Sequence, residues 1–318
     1  MSDAAIRLRA VSKTFGTKKA VRELDLDVPA GSVCGYLGPN GAGKTTTIRM
    51  VMSIIYPDSG SVEVLGRTSA IESKDRIGYL PEERGVYRKM KVGEFLTYLG
   101  TLKGVEPRTL KKRIDDWLEK VELPGVQKKK CEELSKGMQQ KVQFLAAIIH
   151  DPELIILDEP FSGLDPANAR LLKGLIEEQS AAGKTVIFST HVLSAAEAVC
   201  DRVFMINQGQ KVLDGEINAV RAKFDPRTLL VEPVGDNGRA VVESTPGIKS
   251  VLASGAGFEA HLEDGVDPQA TMKALLERTP CRRVELRRAT LEDIFLSLVS
   301  TDDSEDSLRA ALRSEGER

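Results

Sequence analysis

Long apolar runs are missing from this 318-residue chain; none approaches the ~18 residues a helix needs to cross a bilayer. Any work at a membrane is therefore expected to need a separate anchor. Cysteine is scarce and scattered: Cys34, Cys131, Cys200 and Cys281 form no C-x-x-C, which argues against a disulfide framework or a zinc ribbon and suits reduced cytosolic thiols. Net charge is nearly absent, with Lys+Arg 45 against Asp+Glu 47, so no electrostatic case exists for nucleic acid as the main partner. The opening MSDAAIRLRA lacks the apolar stretch of a secretory leader, and none is expected. No internal repeat and no heptad run appears. Hydrophobic content of 41% is ordinary, enough for one large domain and a small one.

What the chain does have is a stretch almost free of bulky side chains, GPNGAGKTTT, from Gly38 to Thr47. Before it runs VCGYL, a short apolar segment with the profile of a buried strand. After it, apolar residues fall at Ile48, Val51, Met52 and Ile55, at helical intervals, until Pro57. The glycines thus sit in a strand–loop–helix turn. Gly38, Gly43, Lys44 and Thr45 meet the G-x-x-x-x-G-K-T spacing of a phosphate-binding loop. Glycine lets successive backbone N–H groups face phosphate oxygens, and the helix N-terminus adds partial positive charge. In this reading Lys44 reaches the β- and γ-phosphates and the Thr45 hydroxyl ligates Mg²⁺. Such a loop serves kinases, GTPases, helicases and transport ATPases alike.

LIILDEP is an apolar run ending in two carboxylates. A buried parallel strand would deliver Asp158 and Glu159 to the ligand crevice of an α/β sheet, Asp158 for the metal shell and Glu159 as general base. The alternative is an N-cap pair opening the next helix. LSKGMQQ places Ser135 and Gly137 just before a helix with apolar face Val142, Leu145, Ala146 and Ile149, a second anion-binding helix terminus. One site does not need two cradles, so the second is expected to serve another copy of the protein.

With these motifs in this order, followed by SGLD and by His191 in FSTH, the chain resembles the ATP-binding subunits of ABC transporters over about residues 4–220. The resemblance implies a P-loop NTPase fold of the ABC type: an α/β ATPase domain with a helical subdomain. It implies a head-to-tail dimer with two ATP molecules sandwiched between the cradle of one copy (Gly38, Pro39, Asn40, Gly41, Ala42, Gly43, Lys44, Thr45, Thr46) and the signature of the other (Ser135, Lys136, Gly137, Gln139). It further assigns Phe15 to stack on adenine, and Ser162, Gly163, Leu164 and Asp165 to a loop crossing the dimer interface. His191 becomes the contact to the γ-phosphate. Where the family usually has a metal-ligating glutamine, this chain has Glu82, adding a charge to the metal set of Thr45 and Asp158. Lys136 replaces the usual small residue, reaching a phosphate, the partner or only water. PEERGVYRKM together with LSKGMQQKVQF resembles the NatA-like branch, which carries an extra C-terminal domain.

The expected organisation is an ATPase domain at 4–222 with a helical subdomain at about 92–150. An accessory domain follows at 226–300, where strands and helices alternate as in a ferredoxin-like α+β unit. A polar, disordered tail is expected at 301–318. In the family, the region of Val86, Tyr87 and Met90 receives a short helix of the membrane subunit. Trp117 reads as a packing residue and His261 as a strand surface residue. The lysine runs at 111–113 and 128–130 suit an anionic membrane surface or a solvated face. The helix at 291–299 packs in its own domain or docks a partner. The function expected is an ATP-hydrolysing motor, an exporter's, peripheral on the cytoplasmic face of the cell membrane. It would pair with itself or a homologue and with an integral permease, using ATP and Mg²⁺. The alternative is a soluble ABC-type ATPase acting on ribosome or DNA; a third reading makes the accessory domain a ligand sensor.

Overall fold

The computed structural model describes residues 4–83, 85–224, 227–234 and 238–299; the tail expected from 301 lies outside them. Contacts divide the chain into two units, Met1–Ile217 with Phe295–Arg318, and Asn218–Ile294.

The first unit opens with a hairpin, β1 (Ala4–Phe15) and β2 (Lys18–Pro29), which buries Ile6, Leu8, Val11, Leu24, Leu26 and Val28, with several register shifts along the pair. β3 (Val33–Leu37) is buried at every residue and leads through the glycine loop into α1 (Lys44–Val51). That helix stops at Val51, short of the Ile55 that periodicity suggested, because Ser53 turns left-handed (φ 54°). β4 (Ser59–Val64) returns to β1 and completes an antiparallel sheet of order β2-β1-β4. β5 (Ile77–Leu80) enters the main sheet.

The helical part follows: α2 (Val92–Leu102), α3 (Pro107–Lys120) and α4 (Lys136–Ile148). α3 buries one stripe, Leu110, Ile114 and Leu118, as their four-residue spacing dictates. Trp117 lies beside that stripe, half-buried and capped by Lys120 (4.9 Å to the ring centroid), so it borders the core instead of filling it.

β6 (Leu154–Asp158), α5 (Pro166–Ala181), β7 (Thr185–Thr190), α6 (Leu193–Glu197), β8 (Arg202–Asn207) and β9 (Gln210–Glu216) finish the unit. The main sheet runs β5-β6-β7-β3-β8-β9, parallel except for the last strand. β6 and β7 are buried throughout, as strands covered on both faces must be. Between the two sheets lies a core including Ile6, Leu24, Tyr36, Ile156 and Phe204.

In the second unit, α7 (Ile217–Lys223), from Asn218 on, precedes β10 (Thr228–Pro233), α8 (Gly238–Glu243), β11 (Ile248–Ser254), β12 (Gly257–Leu262), α9 (Pro268–Arg278) and β13 (Cys281–Leu286). α10 (Leu291–Val299) follows. Its antiparallel sheet has the order β11-β12-β10-β13, and with the βαββαβ succession this is the ferredoxin-like arrangement. Its core is its own: Leu229, Val231, Val242, Ala260, Leu262 and Leu275. His261 sits on its sheet within 2.9 Å of the Thr228 hydroxyl.

Candidate functional site

Four neighbouring parallel strands, β5, β6, β7 and β3, end on one edge of the main sheet. Their carboxyl ends deliver Glu82, Asp158 with Glu159, His191, and the loop from Gly38. Ligands of open α/β sheets bind in this crevice.

The loop requires its glycines. A Cβ on Gly38 would overlap the carbonyl oxygen of Ile206, and one on Gly43 (φ 111°) that of Ala20. No other residue fits against that backbone. Beyond the loop, a cleft of about 330 Å³ is lined by Phe15, Lys18, Ala20, Asn40, Gly41, Gly43, Lys44, Thr45, Thr46, Glu82 and Glu159. Phe15 presents a half-exposed ring with the Lys13 ammonium 5.6 Å from its centroid.

Lys44 is buried. Its Nζ donates to Gly38 O at 2.7 Å and stands 3.3 Å from Glu159 Oε1. The other Glu159 oxygen meets His191 Nδ1 at 3.0 Å. Thr45 Oγ1 lies 3.4 Å from both Asp158 Oδ1 and Glu82 Oε2.

Residues 21–162 match the ABC transporter family, and residues 215–299 match the C-terminal domain of DrrA1-3-like ATP-binding proteins. The uncharacterized ABC transporter ATP-binding protein YhaQ of Bacillus subtilis is 39% identical, over 91% of this chain and 96% of its own length. The chain belongs to the ATP-binding subunits of ABC transporters. The ABC transporter ATP-binding protein NatA of B. subtilis is 37% identical over 68% of this chain and 91% of its own length. The Nod factor export ATP-binding protein I of Sinorhizobium fredii is 34% identical over 95% and 88%. A solved ATP-binding subunit of an ABC transporter superposes with a TM-score of 0.64 at 27% identity, covering 69% of this chain and 93% of that one. As a member of this family the protein is an ABC-type ATPase.

In this ATPase the electrostatics of the two adjacent carboxylates diverge. Burial raises Asp158, and the nearby Glu82 and Glu159 charges raise it further against the hydrogen bond from Ser189. Burial also works to raise Glu159, but the hydrogen bond from His191 and the Lys44 charge outweigh it, and its pKa falls below the usual carboxylate value. Glu159 is therefore ionised at neutral pH and ready to accept a proton. Its backbone is left-handed (φ 49°), and its N–H donates to the Ser189 hydroxyl at 3.0 Å. The same hydroxyl donates to Asp158 Oδ1 at 2.5 Å. Asp158 is thus a strand residue and Glu159 the turn after it, and the pair does not cap a helix; the N-cap of α5 is Asp165.

Asp158 Oδ2 is buried without a hydrogen-bond partner. An oxygen-only set of Asp158, Thr45 and Glu82 suits a hard divalent cation. Among the described residues no group of three or more His, Cys, Asp or Glu could hold a metal, so water or phosphate oxygens must complete any shell.

The signature residues do not line the cleft. Ser135 is the N-cap of α4, exposed, accepting from Met138 N at 3.3 Å. Lys136 is the exposed first residue of the helix, and Gly137 lies inside its first turn instead of before it, because the helix starts two residues earlier than the sequence suggested. Gln139 turns inward and donates to Cys131 O and Leu134 O, bracing the preceding loop. Ser162 and Gly163 are exposed, Leu164 is half-buried, and Asp165 holds Asn168 through N at 2.9 Å and through Nδ2 at 2.5 Å. A Cβ on Gly137 would stand 2.9 Å from that same Nδ2.

Three contributors escaped the sequence reading: Ser189, Lys18 and Asn168. Ser189 had a signal, being one of two hydroxyl residues that follow the apolar VIF of a buried strand, TVIFST.

Proposed function

We propose that this protein is the motor subunit of an ABC exporter, working as a head-to-tail dimer on a separate integral membrane subunit. The observation that carries the reading is Glu159 held in the cleft between Lys44 and His191. Water attacks the γ-phosphorus, its proton passes to Glu159, and the bond to the bridging oxygen of ADP breaks. Lys44 exchanges the Gly38 carbonyl for β- and γ-phosphate oxygens. His191 fixes the Glu159 carboxylate and reaches the γ-phosphate, and Phe15 stacks on adenine. Asp158, Thr45 and Glu82 are the residues that would hold Mg²⁺, which when bound neutralises phosphate charge and polarises the scissile bond. Ser135, Lys136 and Gly137, outside the cleft, serve the nucleotide of a second copy, with Gln139 bracing the loop that presents them, and Ser162–Asp165 cross to that copy.

The working domains are 4–222 and 226–300. No helix among the described residues is long and apolar enough to cross a membrane. An aromatic shelf offers the membrane subunit a seat. Tyr87 and Tyr98 are about half exposed, their rings edge to face at 5.9 Å, and Leu102 is exposed beyond them. Val86, expected there too, is buried. As a member of this family of ATP-binding subunits, the protein is proposed to sit peripherally on the cytoplasmic face. The relatives named for Nod factor export favour the outward direction.

Glu159→Gln tests the base. Steady-state turnover should fall at least ~10², with ATP affinity within about twofold of wild type, because the loss acts on the chemical step. Near wild-type turnover would sink the assignment.

A further inference from the structure

We propose that Glu82 makes the Thr45–Asp158 edge of the cleft a divalent-cation seat that fills before nucleotide arrives. The inference rests on reading the cleft as the Mg²⁺–ATP site and adds an order of loading to it.

The charges at the Thr45 edge of the cleft do not balance. Glu82 and Glu159 line the cleft and Asp158 stands 3.4 Å from Thr45, three carboxylates against the two lysines of the lining, Lys18 and Lys44. The buried Lys44 is committed to Glu159 at 3.3 Å and to the Gly38 carbonyl at 2.7 Å. Among the described residues no lysine or arginine pairs with Asp158 or Glu82; their side chains meet hydroxyls, Thr45 for both and Ser189 for Asp158. One oxygen of Asp158, a residue 1% exposed, has no hydrogen-bond partner at all. A buried carboxylate oxygen left unpaired is costly, and a cation is the partner that relieves it.

The geometry suits one small ion. Thr45 Oγ1 stands 3.4 Å from an oxygen of each carboxylate, close to the roughly 3 Å between neighbouring ligands of one octahedral ion, so it joins the two carboxylates at one edge. Mg²⁺ is commonly held by one or two carboxylates and keeps several waters. A neutral glutamine at position 82 would offer an oxygen there but no charge. The glutamate supplies the second charge that lets the seat hold an ion without phosphate. It also sets a second negative charge where the phosphates must come, so an ion already seated there eases nucleotide entry.

The probe is Mn²⁺, which binds such sites more tightly than Mg²⁺ and is read by electron paramagnetic resonance. The nucleotide-free full chain should take up one Mn²⁺, displaceable by Mg²⁺. Glu82→Gln should weaken that uptake by about tenfold or more, the worth of one charge partly screened by water. In chelator the sign reverses: Glu82→Gln should bind ATP more tightly than wild type, which an unfolded variant cannot do. No Mn²⁺ uptake without nucleotide, or equal uptake by both proteins, would overturn the proposal. If wild type binds Mg²⁺–ATP yet takes no Mn²⁺ alone, only the loading order falls. If it binds no Mg²⁺–ATP, the reading of the cleft falls with it.

Discussion

A single hydroxyl links the two carboxylates of the cleft. The parallel register of β6 and β7 sets Asp158 opposite Ser189. Ser189 Oγ therefore donates to Asp158 Oδ1 and accepts the N–H of Glu159. That second bond, shared with the Ser189 carbonyl at 3.2 Å, helps hold a non-glycine residue at φ 49°, a conformation costing about 1 kcal/mol or more unless its surroundings enforce it. Ser189→Ala removes both bonds while leaving every charged group in place. Steady-state kinetics should show kcat down roughly tenfold with KM little changed, about 1–3 kcal/mol for a buried polar group left underpaired. Ser189→Thr, which keeps the hydroxyl, should recover most of the loss; failure to recover would leave only a packing role. The charged residues of the cleft were legible because their chemistry is tied to spacing: Lys44 follows its glycines, and Asp158 and Glu159 end an apolar run. Ser189 was not, because a serine's task depends on which residue the register sets beside it. Lys18 escaped for a similar reason, since a fold-dependent hairpin brings it to the cleft.

Whole elements read unevenly. β3 and β6 stood out because both their faces are buried, which turns a strand into a nearly unbroken apolar run. β1 and β2 did not, because left-handed residues Ala10 and Glu23 and several register shifts break their alternation. Between the readable elements lies a joint that only coordinates reveal. At the end of α4 the buried His150 reaches Ile77 O, the start of β5, through Nε2 at 3.1 Å, while Nδ1 has no partner. Burial, helped by the Lys103 charge, pushes its pKa down from 6.5 to about 4. The folded chain therefore keeps His150 neutral where the unfolded chain takes up a proton. Stability from this joint is complete above pH ~6.5 and declines as pH falls toward 4. The group alone should make the protein about 2 kcal/mol less stable at pH 5 than at pH 7, as an upper estimate. Urea unfolding at both pH values checks it, and His150→Gln should flatten the difference. An equal pH dependence in the variant would assign the effect elsewhere.

At the scale of the whole molecule the chain holds one phosphate cradle and one signature, and the signature is absent from the lining of the cleft. A nucleotide bound in the cleft thus leaves an exposed helix start, Ser135 with Lys136, unused by its own subunit. Two copies in antiparallel register would use both, and nucleotide would be the glue. Association should accordingly depend on ATP and persist when hydrolysis is blocked. Analytical ultracentrifugation of Glu159→Gln should give the mass of one 34.7 kDa chain without nucleotide and twice that mass with Mg²⁺–ATP. Adding Gly137→Asp places a carboxylate in the first turn of α4, where the partner's phosphates would come, and a Cβ 2.9 Å from Asn168 Nδ2. The double variant should still bind ATP as Glu159→Gln alone does, since Gly137 lies outside the cleft, yet remain single at every nucleotide concentration. If it pairs as readily as Glu159→Gln alone, the signature does not face the partner's nucleotide and the head-to-tail arrangement is wrong. If Glu159→Gln stays single as well, the protein needs its membrane subunit, or a different ATPase chain, to pair. The same experiment on the subunit co-purified from detergent-solubilised membranes then separates these two outcomes by mass: two identical chains on a membrane protein, or two unlike ones.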